Sequence, residues 1–453
     1  MKSDLLRLPL FGLALALTLP MTVRSDGECR DSEHSEENRN TPISLVGVIP
    51  IPGAALTSTD IAWTDPGTER YYLADRSNFG VDILDAEDNV FVGRVSGFAG
   101  AVTSGGGTAT TNGPGPNGVL VTPDRKLWVG DGNSLTQVAD VDPGSVNYLK
   151  ILQPGGISTA VPACDGGANA HYCGRADEEA YDPKDKIIII GNPSPLSAVA
   201  PHGGIDPYAT FIDARTYKVL GHISFPGAGG LEQPVWDAEK QRFLINVPGT
   251  LNTAKTAVVL QPSIQIINPV TMLSEKTYSL DCQAVAGTLS ASITGIALGP
   301  FQHILVSACG YPVVLTLNPS KGTIHVFSVV KNVGGGDEVW FDPGDDRFYV
   351  TGPLNGVAGQ PEQLGVIDAE NGAFLQNVSE SGLRGKNPAA FQENNHIFTV
   401  QQITTAIRDN SPNPSPDDSL CATFGFSRTG CIAIFEHKEA PQDASEDADH
   451  DDH

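Results

Sequence analysis

One stretch of the chain gathers the residue types that acid–base chemistry uses. His171, Arg175 and Asp177 fall close together, and His202 follows on the next long polar segment. A histidine can take or give a proton near neutral pH, a guanidinium can clamp an anion, and a carboxyl can complete an acid–base set. His171, Arg175 and His202 are therefore the candidate catalytic residues, and the chemistry they suit is that of a lactonase-like hydrolase or a lyase. A second set recurs instead of clustering. Asp60, Asn117, Asp177, Glu232, Thr294, Asp337 and Asn387 each open a similar segment. Oxygen donors converging on one centre suit a hard cation such as Ca2+ or another divalent ion. Asp60, Asn117, Glu232 and Asp337 are the expected metal ligands; Asp177, Glu178, Thr294 and Asn387 are expected to contact a ligand. Glu178 belongs to this group because the frame can slip by one residue along Asp177-Glu178-Glu179. The carboxylates in such a ring would repel one another without a cation, intervening water or raised pKa values.

The segments that carry these residues define the fold. Asp337-Glu-Val-Trp-Phe-Asp-Pro343 and Asp177-Glu-Glu-Ala-Tyr-Asp-Pro183 share a polar opening, a short apolar strand and an Asp-Pro turn. Five further segments follow the pattern, beginning at Asp60, Asn117, Glu232, Thr294 and Asn387. A second apolar run follows each turn, such as Leu127-Trp-Val-Gly and Ile187-Ile-Ile-Ile. A third and a fourth strand then flank a turn led by Asp or Asn, as in Gly365-Val-Ile-Asp-Ala-Glu-Asn-Gly. Those side chains bond the backbone of the turn they open. A repeat of roughly 45–60 residues with four short strands predicts an all-β, seven-bladed β-propeller.

The last repeat, near Ala389 to Phe391, Ile397 to Val400 and Ile432 to Phe435, lacks a fourth strand. An orphan strand at 43–51 is expected to supply it and close the ring, removing two open edges. Inner strands then run down a central channel, and the long segments 98–116, 153–176, 191–208, 247–263, 352–362 and 401–428 share one face. Function concentrates on loops carried by a rigid scaffold, so that face is the expected binding side. Trp63, Trp236 and Trp340 fall in inner strands and read as core.

Two blade motifs resemble known propeller families. Val366-Ile-Asp-Ala-Glu-Asn-Gly-Ala-Phe-Leu and Val81-Asp-Ile-Leu-Asp-Ala-Glu-Asp resemble YVTN-type repeats. Gly115-Pro-Asn-Gly-Val-Leu-Val-Thr-Pro-Asp, followed by Leu127-Trp-Val-Gly-Asp, is similar to NHL and gluconolactonase-like (SMP-30) blades. The latter resemblance implies a divalent cation in the channel with Asn117 among its ligands. The Glu-Gly-Pro element of those enzymes is replaced here by Thr59-Asp60-Ile61.

Lys2 and Arg7, the apolar run 8–21 and Ser25 have the order of a signal peptide, 1–25. An acidic linker at 26–40, the propeller at 41–438 and an acidic tail at 439–453 complete the expected layout. The protein is thus expected to be secreted or periplasmic, without stable membrane insertion. A formal net charge of −25 argues against nucleic acid as a partner. The expected partner is a small-molecule or carbohydrate-like ligand bound by a monomer, with a protein-interaction scaffold as a further reading. Seven cysteines in an exported chain are expected to pair. Proximity suggests Cys164 with Cys173, Cys421 with Cys431 and Cys282 with Cys309, leaving Cys29 over. Asn377-Val-Ser379 is a glycosylation sequon if the host is eukaryotic.

Overall fold

The computed structural model describes residues 42–101, 114–162, 175–193, 205–380, 384–403, 420–426 and 429–437. Seven antiparallel sheets stand in a ring, and each lays its first strand along the centre. These inner strands are Thr59–Asp65, Val119–Thr122, Glu179–Asp182, Pro234–Asp237, Ile293–Leu298, Val339–Asp342 and Arg384–Phe391. Each touches the inner strand of the next blade, and the first touches the last. The molecule is a seven-bladed β-propeller.

Packing explains why the second strands are almost wholly apolar. Each sheet is covered on both faces by neighbouring blades, so Ile187–Asn192 is buried at every position. Continuous apolar runs are what doubly covered strands require. Outer strands meet water and alternate, as in Lys218–Ser224 and Thr323–Val329. In blade two the outer position is divided between two short strands, Lys150–Ile151 and Ile157–Ser158.

The tight turns lie on one face and share one device. Asp182 accepts the Lys184 and Asp185 N–H groups at 2.8 and 3.2 Å, and Asp368 accepts those of Glu370 and Asn371 at 2.8 and 3.0 Å. Asp213 and Asn268 do the same for their turns. Most of these turns end on a left-handed residue, among them Lys186 (φ 62°), Tyr217 (φ 59°) and Asp346 (φ 55°). A non-glycine residue there costs roughly 1–2 kcal/mol, which the flanking ladders offset.

The ring closes as the orphan strand suggested. Ile43–Ile49 pairs antiparallel with Cys431–His437, so strands from both ends of the chain share blade seven. Ile43, Ile49 and Ile51 are buried. Cys421–Cys431 fastens the connection inside this blade, and Cys282–Cys309 ties a short helix, Cys282–Val285, to blade five. Cys29, Cys164 and Cys173 lie outside the described residues, as do the expected signal peptide, linker and tail. Asn377 is half-buried on an outer strand of blade six, and its Nδ2 donates to the Asn332 carbonyl at 2.8 Å.

Trp63, Trp236 and Trp340 pack against the hydrophobic core as expected, though each is only partly buried. An inner strand has the channel in front of it, so a large side chain there keeps part of its surface open.

Two outcomes test this architecture. Removing residues 1–52 should cost at least about 5 kcal/mol, since three buried isoleucines contribute roughly 1.5–3 kcal/mol each. It should also cause concentration-dependent association through the bared edge, read by thermal unfolding and light scattering. The double substitution Cys282→Ala, Cys309→Ala should lower the urea-derived stability by about 2–4 kcal/mol.

Candidate functional site

Strand register fixes which side chains share a level. Val339 pairs with Val350 and Asp342 with Arg347 in blade six; Glu179 pairs with Ile190 and Asp182 with Ile187 in blade three. Glu179 therefore corresponds to Val339, Asp177 to Asp337 and Glu178 to Glu338. The frame does not slip in blade three. Asp177 takes the same level as Asp60, Asn117, Glu232, Thr294, Asp337 and Asn387, and Glu178 lies one level deeper with Gln233 and Glu338.

The three neutral members of the ring pin blades together. Asn117 Nδ2 donates to Ala176 O at 2.6 Å, Asn387 Nδ2 to Asp60 O at 2.6 Å, and Thr294 Oγ1 to Gly336 O at 2.7 Å. Asn246, from a second strand, adds a bond to Thr294 O at 2.6 Å. Inner strands present unpaired backbone carbonyls to one another, and these amide and hydroxyl groups satisfy them.

The acidic members meet basic side chains. Arg175 grips Asp177 through two bonds, Nε–Oδ1 at 2.8 Å and Nη2–Oδ2 at 2.7 Å. Arg76 pairs with Asp60 and also donates through Nη2 to Asn117 Oδ1 at 2.6 Å. Lys386 Nζ lies 2.9 Å from Asp337 Oδ2. Arg76 comes from the turn between the second and third strands of blade one, on the long-loop face. Lys386 immediately precedes Asn387. Composition and repeat pointed to neither; the Lys386-Asn387 adjacency was the one available signal.

These charges divide the acids into two groups. Lys386 holds the Asp337 carboxyl down at about 2, despite burial. Burial, reinforced by Asp337 and Asp177, pushes Glu232 well above the ordinary range. Burial raises Glu178 in the same way, with Asp177, Glu232, Asp337 and Glu338 adding to it. Glu338 is raised by burial, against which the Ala62 N–H works. Asp60 is raised by burial and restrained by Arg76. Burial alone would depress Arg175, but Asp177, Asp60 and Glu232 outweigh it and keep the guanidinium charged.

Three of the four donors expected for a divalent cation, Asp60, Asn117 and Asp337, are thus engaged by basic side chains of the chain itself. Arg76 takes Asp60 and the Asn117 oxygen, and Lys386 takes Asp337. A dication placed among them would stand beside a guanidinium and an ammonium. Among the described residues no three His, Cys, Asp or Glu side chains are grouped to hold a metal ion. His171 and His202 lie outside the described residues, so Arg175 is the member of the catalytic trio whose contacts are seen.

Fold and site define a seven-bladed propeller with an ion-paired funnel on its long-loop face. No family model matches the chain, and no curated protein matches it either.

A pH measurement tests the deep carboxyls. A raised folded-state pKa contributes stability that is complete below the unfolded value, about 4.3 for Glu, and is lost as pH rises through the folded value. Glu338→Gln keeps an oxygen for the Ala62 N–H but cannot ionise. The variant should match the wild type near pH 4 and exceed it by about 1–3 kcal/mol at pH 9, read by calorimetry at both values.

Proposed function

We propose that this propeller is an exported binder of a neutral, hydroxyl-rich ligand, carbohydrate-like in chemistry, held in the funnel without a divalent cation. The observation that carries this reading is the pairing of Asp60, Asp177 and Asp337 with Arg76, Arg175 and Lys386 at one level of the ring. An anionic ligand would have to displace aspartates from their cations. A cationic one would meet three fixed positive charges. A polyol brings both donors and acceptors, so it can bridge these groups without burying net charge. The two disulfides and the leader-like N-terminus support export, and no helix among the described residues is long and apolar enough to cross a membrane. The YVTN- and NHL-like blade strings fit such a role but do not select a ligand, because propellers host many activities.

Calorimetric titration with maltotriose, cellotriose and chitotriose tests the reading, in EDTA and again with added Ca2+. Binding should survive EDTA and weaken at least tenfold in Arg175→Ala. Binding that appears only with Ca2+, or no binding by any of the three, overturns it.

One observation favours a second reading, a hydrolase or lyase in the same funnel. Glu232 is pushed up while Asp337, whose charge acts on it, is held at about 2. Two carboxyls driven apart in this way can serve as acid and base. Turnover of lactones or uronates that falls about 100-fold or more in Glu232→Gln would place this reading ahead of binding alone.

A further inference from the structure

Blade seven, which holds the closing strand, meets blade six along a seam with a buried carboxyl near each end. The middle of the seam is apolar: Ile43, Tyr349, Leu364, Val366, Ile397 and Phe435 pack together there. Gln376 of blade six adds a neutral clamp, accepting the Ile43 N–H at 2.9 Å and donating to the Ile43 carbonyl at 3.0 Å. At the tight-turn end, His437 Nδ1 lies 3.2 Å from Asp345 Oδ2 of blade six, with both side chains almost fully buried. His437 pairs with Ile43 in the ladder, so this contact anchors the first rung of the closing strand. The same Asp345 oxygen accepts the Tyr349 hydroxyl, and Arg347 Nε stands 3.9 Å away. Asp342 shares the turn, is 0% exposed, and accepts the Gly344 N–H at 3.0 Å. Burial first, then the charge of Asp345 and more weakly that of Asp346, push the Asp342 carboxyl up to about 7. Asp368 lies opposite Arg347 in the sheet. On blade seven Glu436 precedes His437 and pairs with His396, while Ile43 and Ser44 of the closing strand bring no charge.

At the long-loop end, Glu380 follows the outer strand Phe374–Ser379 of blade six and crosses to blade seven. Its Oε1 accepts Gln401 Nε2 at 3.0 Å, and both residues are 0% exposed. Gln401 also donates to Thr399 Oγ1 at 2.9 Å. Burial, with Glu362 adding to it, raises Glu380 to about 8 against its hydrogen bonds with Thr399 and Gln401. Ionisation works in one direction at both ends. A second anion in the turn 342–347 repels Asp345, the residue that holds His437. An ionised Glu380 is a buried anion held by an amide and a hydroxyl. Turning either carboxyl out to water relieves the cost and withdraws it from the seam.

We propose that the seam between blades six and seven is a pH-sensitive latch on the ring closure. Asp342, Asp345 and His437 at one end, and Glu380 with Gln401 at the other, hold it in acidic medium; in alkaline medium it loosens and the strand Ile43–Ile49 frays. Both Asp342 and Glu380 are raised above their unfolded values of about 3.9 and 4.3. The stability they contribute is complete below those values and is lost as pH rises through about 7 and about 8. The latch involves no ligand and stands whether or not the funnel binds one. Once the closing strand frays, the edge of Cys431–His437 is open to pairing with another chain.

Hydrogen exchange of the full chain, read by peptide mass spectrometry and corrected for the chemical exchange rate, gives protection factors at pH 6 and pH 9. Protection over 43–49 and 374–380 should fall at least about tenfold between the two, while that over 187–192 in blade three changes less than about threefold. Asp342→Asn with Glu380→Gln keeps an acceptor oxygen at each position but cannot ionise, so it should retain its pH 6 protection at pH 9. Gln376→Ala should lower protection over 43–49 at both pH values and leave the tenfold fall in place. Unchanged wild-type protection over 43–49, an equal fall in blade three, or a full tenfold fall in the double variant each overturns the latch. Should the double variant fail to fold, the single variants decide. Asp342→Asn must shrink the fall over 43–49, and Glu380→Gln that over 374–380, at least about threefold; a single variant that leaves its fall unchanged overturns the proposal.

Discussion

Each blade of this protein is a twisted sheet with two apolar faces, and neither can be left in water. The faces of Ile187–Asn192 or Arg347–Pro353 are covered because another blade stands on either side. That arrangement has no free end only if the last blade meets the first. Strands from both ends of the described chain meet in blade seven, where Ile43–Ile49 lies along Cys431–His437. The edges that a linear array would expose are thereby consumed. Everything at the centre, from the amide pins to the ion pairs, presupposes this closed ring.

Closure also sets the electrostatics of the funnel. A closed ring of inner strands brings one position of every blade to the same centre, whatever residue the repeat supplies there. Four acids would repel at that distance, and the fold answers in two ways. Asp60, Asp177 and Asp337 are given Arg76, Arg175 and Lys386; Glu178, Glu232 and Glu338 are pushed by burial toward their neutral forms. The outcome is a ring of paired charges above the buried carboxyls Glu178 and Glu338. Charged side chains held rigidly by one another present directed donors and acceptors, and that favours ligands which match them in pattern more than in charge.

The amide and hydroxyl pins show how the same positions serve structure. Asn117, Thr294 and Asn387 look like ligand donors in the repeat, yet their side chains bind backbone carbonyls of the adjoining blade. Sequence could not separate them from Asp60 or Asp337, because the difference lies in which way each side chain turns at the channel wall. The tryptophans were more legible: Trp63 and Trp340 read as core, and each packs against two of the hydrophobic clusters between blades.

The repeat alone determined the blade number, the closing strand, the face of the long loops and the level at which the ring residues sit. Those features depend on period, turn chemistry and apolar alternation, all of which are local in the chain. The pairings Cys282–Cys309 and Cys421–Cys431 were legible for the same reason, since their members are near in sequence. Tertiary structure alone decided how Asp60 and Asp337 are neutralised and which carboxyls are left unpaired. Arg76 reaches Asn117 across 41 residues, Asn387 reaches Asp60 across 327, and Glu338 reaches Ala62 across 276. The first needs blade two docked on blade one, and the other two arise only when the ring closes.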